Sequence, residues 1–314
     1  MSKKAYMVLL LLAATFALGQ GRTREIGLIT ENDLYTSSKN DKYYTNGLEL
    51  FYRFLAKNGT VKVNKKIVEF RIGQFIYNPQ FINKGAMSVI DRPFAGYLFG
   101  AVEKSFFFQN ESVFKGGIEL GFLGANSFGK ETQERLHKFF SYKQVYGWET
   151  QVTNALAVQT HFLFLNKLLP KLKSDKIDFN FQSEAHLGTI FRSVSAGFLT
   201  RIGFKKLVPI YNSNLLGAAV SSRAEEVGEE FYLYIAPSIR YQLYDATIQG
   251  SFFNDNSEVT FDLIPVRFNG EIGFKYRKNN LNLSYTFVYR SKELHNQINT
   301  GYFYGSILVS YLLK

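Results

Sequence analysis

The stretch Ile177-Asp178-Phe179-Asn180-Phe181-Gln182-Ser183-Glu184-Ala185-His186-Leu187 alternates with a period of two. On an extended strand it places Ile177, Phe179, Phe181, Ala185 and Leu187 on one face and Asp178, Asn180, Gln182, Glu184 and His186 on the other. The pattern recurs. Val266, Phe268, Ile272, Phe274 and Tyr276 oppose Arg267, Asn269, Glu271, Lys275 and Arg277, and Leu281, Leu283, Tyr285, Phe287 and Tyr289 oppose Asn282, Ser284 and Thr286. Charge on one face and bulky apolar side chains on the other, over this length, suit a wall between lipid and a wet lumen. A soluble β-sandwich also alternates, but the apolar face here is large and rich in Phe and Tyr, which favours the transmembrane wall.

Segments of this kind fall near residues 24–33, 44–55, 66–77, 94–108, 114–124, 151–166, 176–190, 194–204, 230–244, 265–277, 280–290 and 301–313. They predict an all-β chain: a twelve-stranded antiparallel transmembrane β-barrel, an even strand number with both ends periplasmic and the longer loops outside. Residues 246–253 are read as part of an outer loop rather than a further strand. The connection 205–229 is long for a periplasmic turn and fits this topology least well.

Composition narrows the chemistry. The 314 residues include no cysteine, which excludes disulfides, thiolate nucleophiles and Cys-ligated zinc. With 31 Phe and 20 Tyr against only 6 Pro, the chain has the apolar content of a folded protein. Lys3 and Lys4 precede an apolar run from Ala5 to Leu18, with Ala17 and Gly19 spaced as a signal peptidase reads them, so residues 1–19 are expected to be a signal peptide and 20–314 the barrel. The run is shorter than the ~20 residues a membrane-spanning helix needs. Without Lys3 and Lys4 there remain 35 basic against 26 acidic residues. Lys62, Lys65, Lys66, Lys171 and Lys173 are read as turn residues. Nucleic acid is a poor partner for an exported chain with no basic stripe, and anionic lipid head groups are a better one.

With both termini periplasmic, the outer loops fall near 34–43, 78–93, 125–150, 191–193, 245–264 and 291–300. Only the third carries a helical pattern: from Glu131 to Phe140, Leu136, Phe139 and Phe140 recur at helix spacing, and Gln133 and His137 lie one turn apart. Four polar clusters share this outer end: Asn32-Asp33, Tyr44-Thr45-Asn46-Gly47, Asn83-Lys84, and Gln133 to His137. Singly each has an ordinary explanation as turn chemistry, a solvated lysine or a structural histidine. Together they supply a carboxylate for a hard cation, a general base and a cationic electrophile, the parts of calcium-assisted ester hydrolysis.

At these residues the sequence resembles the outer-membrane lipid A 3'-O-deacylases. The resemblance covers most of the chain after the leader and is densest from Glu31 to Gln151. It rests on Glu31-Asn32-Asp33, Tyr44-Thr45-Asn46-Gly47, Gln74 to Pro79 followed by Asn83-Lys84, Asp91-Arg92-Pro93-Phe94-Ala95-Gly96, and Gln133 to His137 followed by Gly147-Trp148 and Gln151. It implies a bacterial outer-membrane enzyme that hydrolyses the ester of the 3'-acyloxyacyl chain of lipid A, with Ca²⁺ as cofactor and lipopolysaccharide and outer-membrane lipids as partners. A monomer is expected. By the same resemblance Asp33 holds the metal with backbone oxygens near Thr45, Lys84 helps stabilise the oxyanion, His137 is the base, and Asn32 and Thr45 orient them. Phe94 and Ala155 depart from the family pattern, where Tyr and an acidic residue are common.

The residues leave rivals. A passive pore, or a barrel that only binds lipopolysaccharide, shares the same wall. An outer-membrane phospholipase would need a serine beside a histidine, and Ser127 near the third loop is the candidate. His161 and His186 fall on lumen-facing positions and His295 in the last outer loop. Asp91 and Arg92 are read as an ion pair that shapes the rim.

Overall fold

The computed structural model describes residues 21–36, 43–57, 62–80, 90–142, 145–170, 174–223, 228–253, 255–298 and 300–314. The proposed signal peptide, Lys84, Lys171 and Lys173 lie outside these residues. Twelve strands follow in chain order: β1 (Arg24–Asn32), β2 (Tyr43–Ala56), β3 (Val63–Asn78), β4 (Ala95–Phe108), β5 (Val113–Leu123), β6 (Ala155–Leu168), β7 (Ile177–Gly188), β8 (Phe191–Gly203), β9 (Glu230–Asp245), β10 (Val266–Lys278), β11 (Leu281–Arg290) and β12 (Tyr302–Leu313). Each pairs antiparallel with its sequence neighbours, and β1 pairs with β12 to close the barrel, which leaves no free edge. Among the described residues no helix is long and apolar enough to cross a membrane.

The two faces divide as the alternation predicts. Ile26, Leu50, Ile72, Leu120, Leu187 and Val266 point outward and are more than half exposed, an apolar belt. Inward, charges meet charges. Arg53 Nε lies 2.7 Å from Glu69 and its Nη1 3.4 Å from Glu25, Arg71 bridges Glu49 (2.9 Å) and Glu69, and Lys115 lies 2.7 Å from Glu103. Pairing offsets the cost of holding these groups away from bulk water.

Several boundaries move, each for a local reason. β6 begins at Ala155 rather than 151, because the preceding residues serve the outer loop: Val152 N donates to Phe94 O (2.9 Å), and Asn154 Oδ1 accepts from Asn126 N (2.9 Å). Residues 246–253 form no strand; they open with a short helix, Ala246–Gln249, so the third loop is not alone in carrying one. Asp245 caps it by accepting from Thr247 N at 3.1 Å. β3 begins at Val63, which puts Lys65 and Lys66 in a strand instead of a turn. Lys65 turns inward and donates to Asn212 Oδ1 (3.0 Å) and Ala218 O (2.9 Å).

Those acceptors belong to the long connection after β8, which is no exposed turn. It folds back into the periplasmic mouth, where Ile210, Leu215, Ala218, Ala219 and Val220 pack against Ile67, Phe107, Leu165, Tyr232 and Leu312. Buried Arg277 ties it down by donating to Asn212 O (2.9 Å) and Gly228 O (2.7 Å), with Glu230 3.0 Å away. Ile210 N donates to Glu111, Asn214 N to Glu230, and Ser221 N to Arg22 O. The segment is a plug. Its length, anomalous for a turn, is what filling the mouth requires.

Candidate active site

The candidate residues sit on the outer face of the wall. Counting along β1 from outward-facing Ile26 and Leu28, every second residue brings Asn32 to the same face; on β2, Asn46 shares the face of Leu48 and Leu50. The register aligns Gly305, Asn32, Asn46, Ile76 and Gly96 across β12, β1, β2, β3 and β4. At ~4.8 Å per strand, Asn32 and Gly96 are about 14 Å apart along this row.

One end of the row is polar. Asn32 Nδ2 donates to Asn46 Oδ1 at 2.6 Å, and Asn32 Oδ1 accepts from Leu34 N at 2.7 Å, capping the 3₁₀ turn Asp33–Tyr35. That cap turns the chain off the strand and buries Asp33 completely, with its carbonyl accepting from Thr36. Opposite, the β2–β3 register slips between Tyr44 and Asn46, so Thr45 is the extra residue of a β-bulge and its backbone leaves the ladder. The Thr45 side chain lies outside the described atoms.

The other end is covered by the third outer loop, which folds down outside β3 and β4. Gln74 Nε2 donates to Ser127 O (2.6 Å), and Ile76, Phe94, Val145 and Trp148 form a buried cluster. Gly96 permits this approach: a Cβ there would lie 2.1 Å from Ser127 Oγ and 3.0 Å from Gly129 Cα. Gly147, with φ +106°, takes a left-handed turn against Phe94. Phe94, a departure from the family pattern, thus fills the space between the wall and Trp148, their rings 5.0 Å apart.

Helix α1 (Gly129–Phe140) starts against Gly96 and turns Gly129, Gln133 and His137 toward the protein. This is not the Leu136, Phe139, Phe140 face that the apolar spacing singles out; Phe139 is 79% exposed. Gln133 is fully buried, accepting from Trp148 Nε1 at 2.8 Å and donating to Asn78 Oδ1 at 3.3 Å. Asn78 ends β3 opposite Tyr43 of β2, so this contact ties the helix to the strands that carry Asn32 and Thr45. His137 follows one turn on, buried, beside a cavity of about 330 Å³ that Glu134, Lys138, Tyr142 and Val145 also line. Ser141 ends the helix with φ 58°, and Tyr142 N donates to His137 O at 2.8 Å, which sets the Tyr142 ring edge-on to the imidazole at 5.6 Å.

Asn32 and His137 therefore lie on the outer side of the wall, with Asp33 in the turn that follows Asn32 and Thr45 at the bulge beside Asn46, while Lys84 falls in the undescribed segment 81–89. Gln133, Asn46, Asn78 and Tyr142 complete this polar sector. The first three lie within the quoted motifs, but Tyr142 stands past the end of the helix, where no spacing marks it. Among the described residues no three carboxylate or imidazole side chains converge. A cation at Asp33 would take its other ligands from backbone carbonyls at the bulge, amide oxygens and water, a set suited to Ca²⁺ rather than zinc.

The rival residues are otherwise engaged. Ser127 is fully buried, and its hydroxyl donates to Gly124 O at 2.6 Å. His161 lies in the lumen between Glu103 (2.9 Å) and Glu119 (3.4 Å), with His186 beside it at 6.3 Å between ring centres. His295 lines a loop cavity with Gln249 and Asp262. Asp91 and Arg92 shape the rim but through other partners: Asp91 accepts from Tyr43 Oη (2.8 Å) and Gln80 N (2.9 Å), while Arg92 donates to Thr247 (2.9 Å) and covers the Tyr77 ring.

A family model described as outer membrane protein LpxR matches residues 5–313. Among solved structures, LpxR from Salmonella typhimurium superposes with a TM-score of 0.73 at 19% identity, covering 92% of this chain and 100% of that one. The β domain of the Bordetella autotransporter BrkA, at 9% identity over 92% of this chain and 98% of its own, reaches only 0.49. No curated protein sequence matches the chain.

Proposed function

The chain belongs to the LpxR family of bacterial outer-membrane proteins, and from that premise we propose that it is a calcium-dependent lipid A 3'-O-deacylase, exported by way of an N-terminal signal peptide. The observation that carries this reading is the placement of the polar sector on the outside of the wall. A lipid held in the outer leaflet reaches Asn32, Asp33 and His137 sideways, without entering the lumen. Substrates of a pore pass the other way, and here the periplasmic mouth is filled by the segment containing Ile210 to Val220.

In this reading His137, held against the wall by the helix and by Tyr142, takes the proton of the attacking water and returns it to the leaving alkoxide on the sugar. Asp33, with backbone oxygens at the Thr45 bulge, would hold Ca²⁺. The ion's contribution when bound is to stabilise negative charge on the ester oxygen, a task shared by the Lys84 ammonium. Asn32 fixes the turn that presents Asp33, and Thr45 sits on the bulge that breaks the ladder at that point. The products are the free acyloxyacyl fatty acid and the 3'-hydroxyl. The test is release of that acid from lipid A micelles by purified protein: release in calcium that stops in chelator supports the reading, and release that persists in chelator removes the metal from it.

A further inference from the structure

Helix α1 is two-sided in a way that its contact with the wall does not use. Its inner face is Gly129, Gln133 and His137. One flank carries Phe128, Thr132, Leu136 and Phe139, spaced four, four and three residues apart, and so forms a continuous stripe along the helix. The opposite flank carries Lys130, Glu134 and Lys138, with exposed Glu131 and Arg135 between. Phe128 and Phe139 are 58% and 79% exposed. At the end of the helix, Phe140 stacks on Tyr142 with centres 5.7 Å apart, and Phe139 meets Phe140 edge-on at 4.9 Å. Water is a poor neighbour for so much ring surface on an otherwise well-packed loop.

We propose that this flank of α1, with Phe128 and Phe139 as its anchors, is an interfacial docking surface that inserts among the acyl chains of the surrounding outer-leaflet lipid. Two observations name the occupant. The first is continuity: Phe128 adjoins Ser127, which Gln74 holds to the wall two residues above Ile72 of the apolar belt, so the stripe begins where the lipid-facing wall ends. The second is charge. The remaining surface is charged throughout, with Lys130, Arg135 and Lys138 outnumbering Glu131 and Glu134 by one, so the polar head groups would meet it while the rings sit below. Phe128 itself adopts a left-handed backbone, φ 57°, uncommon for a bulky residue, and this turns the chain into the helix at the belt's upper edge. The helix then rides on the leaflet, with His137 between it and the wall. This inference rests on the outer-membrane location and not on deacylation, so either can fail without the other.

The absence of cysteine makes the test clean. Phe128→Cys, Phe139→Cys, Glu131→Cys and, as a belt reference, Leu50→Cys are each labelled with a nitroxide and reconstituted in vesicles of phosphatidylethanolamine and phosphatidylglycerol. Collisions with dissolved oxygen and with a water-soluble nickel chelate are then compared. Labels at 128 and 139 are expected to match Leu50, with oxygen collisions dominant, while Glu131 shows the reverse. Phe139 behaving like Glu131 in a heat-modifiable barrel overturns the proposal. So does lipid contact that appears only when lipid A is added, which would assign the surface to substrate, or spin-spin broadening, which would assign it to a second copy of the chain.

Discussion

Replacing Gln133 with Leu tests how the helix is held. The side chain is fully buried and serves two groups, the Trp148 indole N–H at 2.8 Å and the Asn78 amide oxygen at 3.3 Å. Leu keeps most of the volume and removes both bonds. A buried polar group left without a partner costs about 1–3 kcal/mol; the short indole bond belongs near the top of that range and the long amide bond near the bottom, so roughly 2–4 kcal/mol is lost. At about 1.4 kcal/mol per tenfold, the ratio of docked to lifted helix falls by roughly 30- to 1000-fold. The strand ladders are untouched, so heat modifiability should not change. Trp148 is the only tryptophan and is almost fully buried beside Phe94, so its fluorescence reports the docked state directly. The Gln133→Leu protein should show red-shifted emission and stronger quenching by iodide. Emission and quenching identical to the parent would refute the claim that this buried polar contact holds the helix.

Gly96→Val should lift the same loop by another route, since its Cβ would collide with Ser127 and Gly129; the readout is proteinase cleavage within 124–154 in intact cells, and full resistance would contradict the close contact. Arg277→Ala strips the plug of its main tie and leaves buried Glu230 without its cation, a loss of about 3–5 kcal/mol. It should raise single-channel conductance in planar bilayers above a near-silent parent, and unchanged silence would mean that the plug does not depend on Arg277. Asp33→Ala should weaken the calcium dependence of fatty-acid release, and an Asp33→Ala protein with the parent's calcium response would separate Asp33 from the metal.

Where the alternation was strong, the fold was legible: every strand was found, and β10 and β11 differ from their expected ranges by one residue at most. The failures share a cause. Residues 151–154, Lys65 and the connection after β8 take their form from partners distant in sequence, namely Phe94, Asn126, Asn212 and the lumen wall. A period of two cannot report such contacts. The candidate site was readable as motifs because Asn32-Asp33 and Gln133 to His137 are local clusters. The motifs place it only at the rim; its outward direction lies in the strand register, since Asn32 is an even number of residues from Ile26. The side of α1 that packs was also missed, since Gly and Gln are weak signals and the apolar stripe pointed to the other flank.

The most direct measurement of the central claim is mass spectrometry of lipid A from cells expressing this protein beside cells expressing His137→Ala, with both barrels shown to be inserted. The account predicts loss of the 3'-linked acyloxyacyl group with the parent protein and full-length lipid A with His137→Ala. An unchanged lipid A spectrum from the inserted parent barrel, or equal loss with His137→Ala, would contradict it.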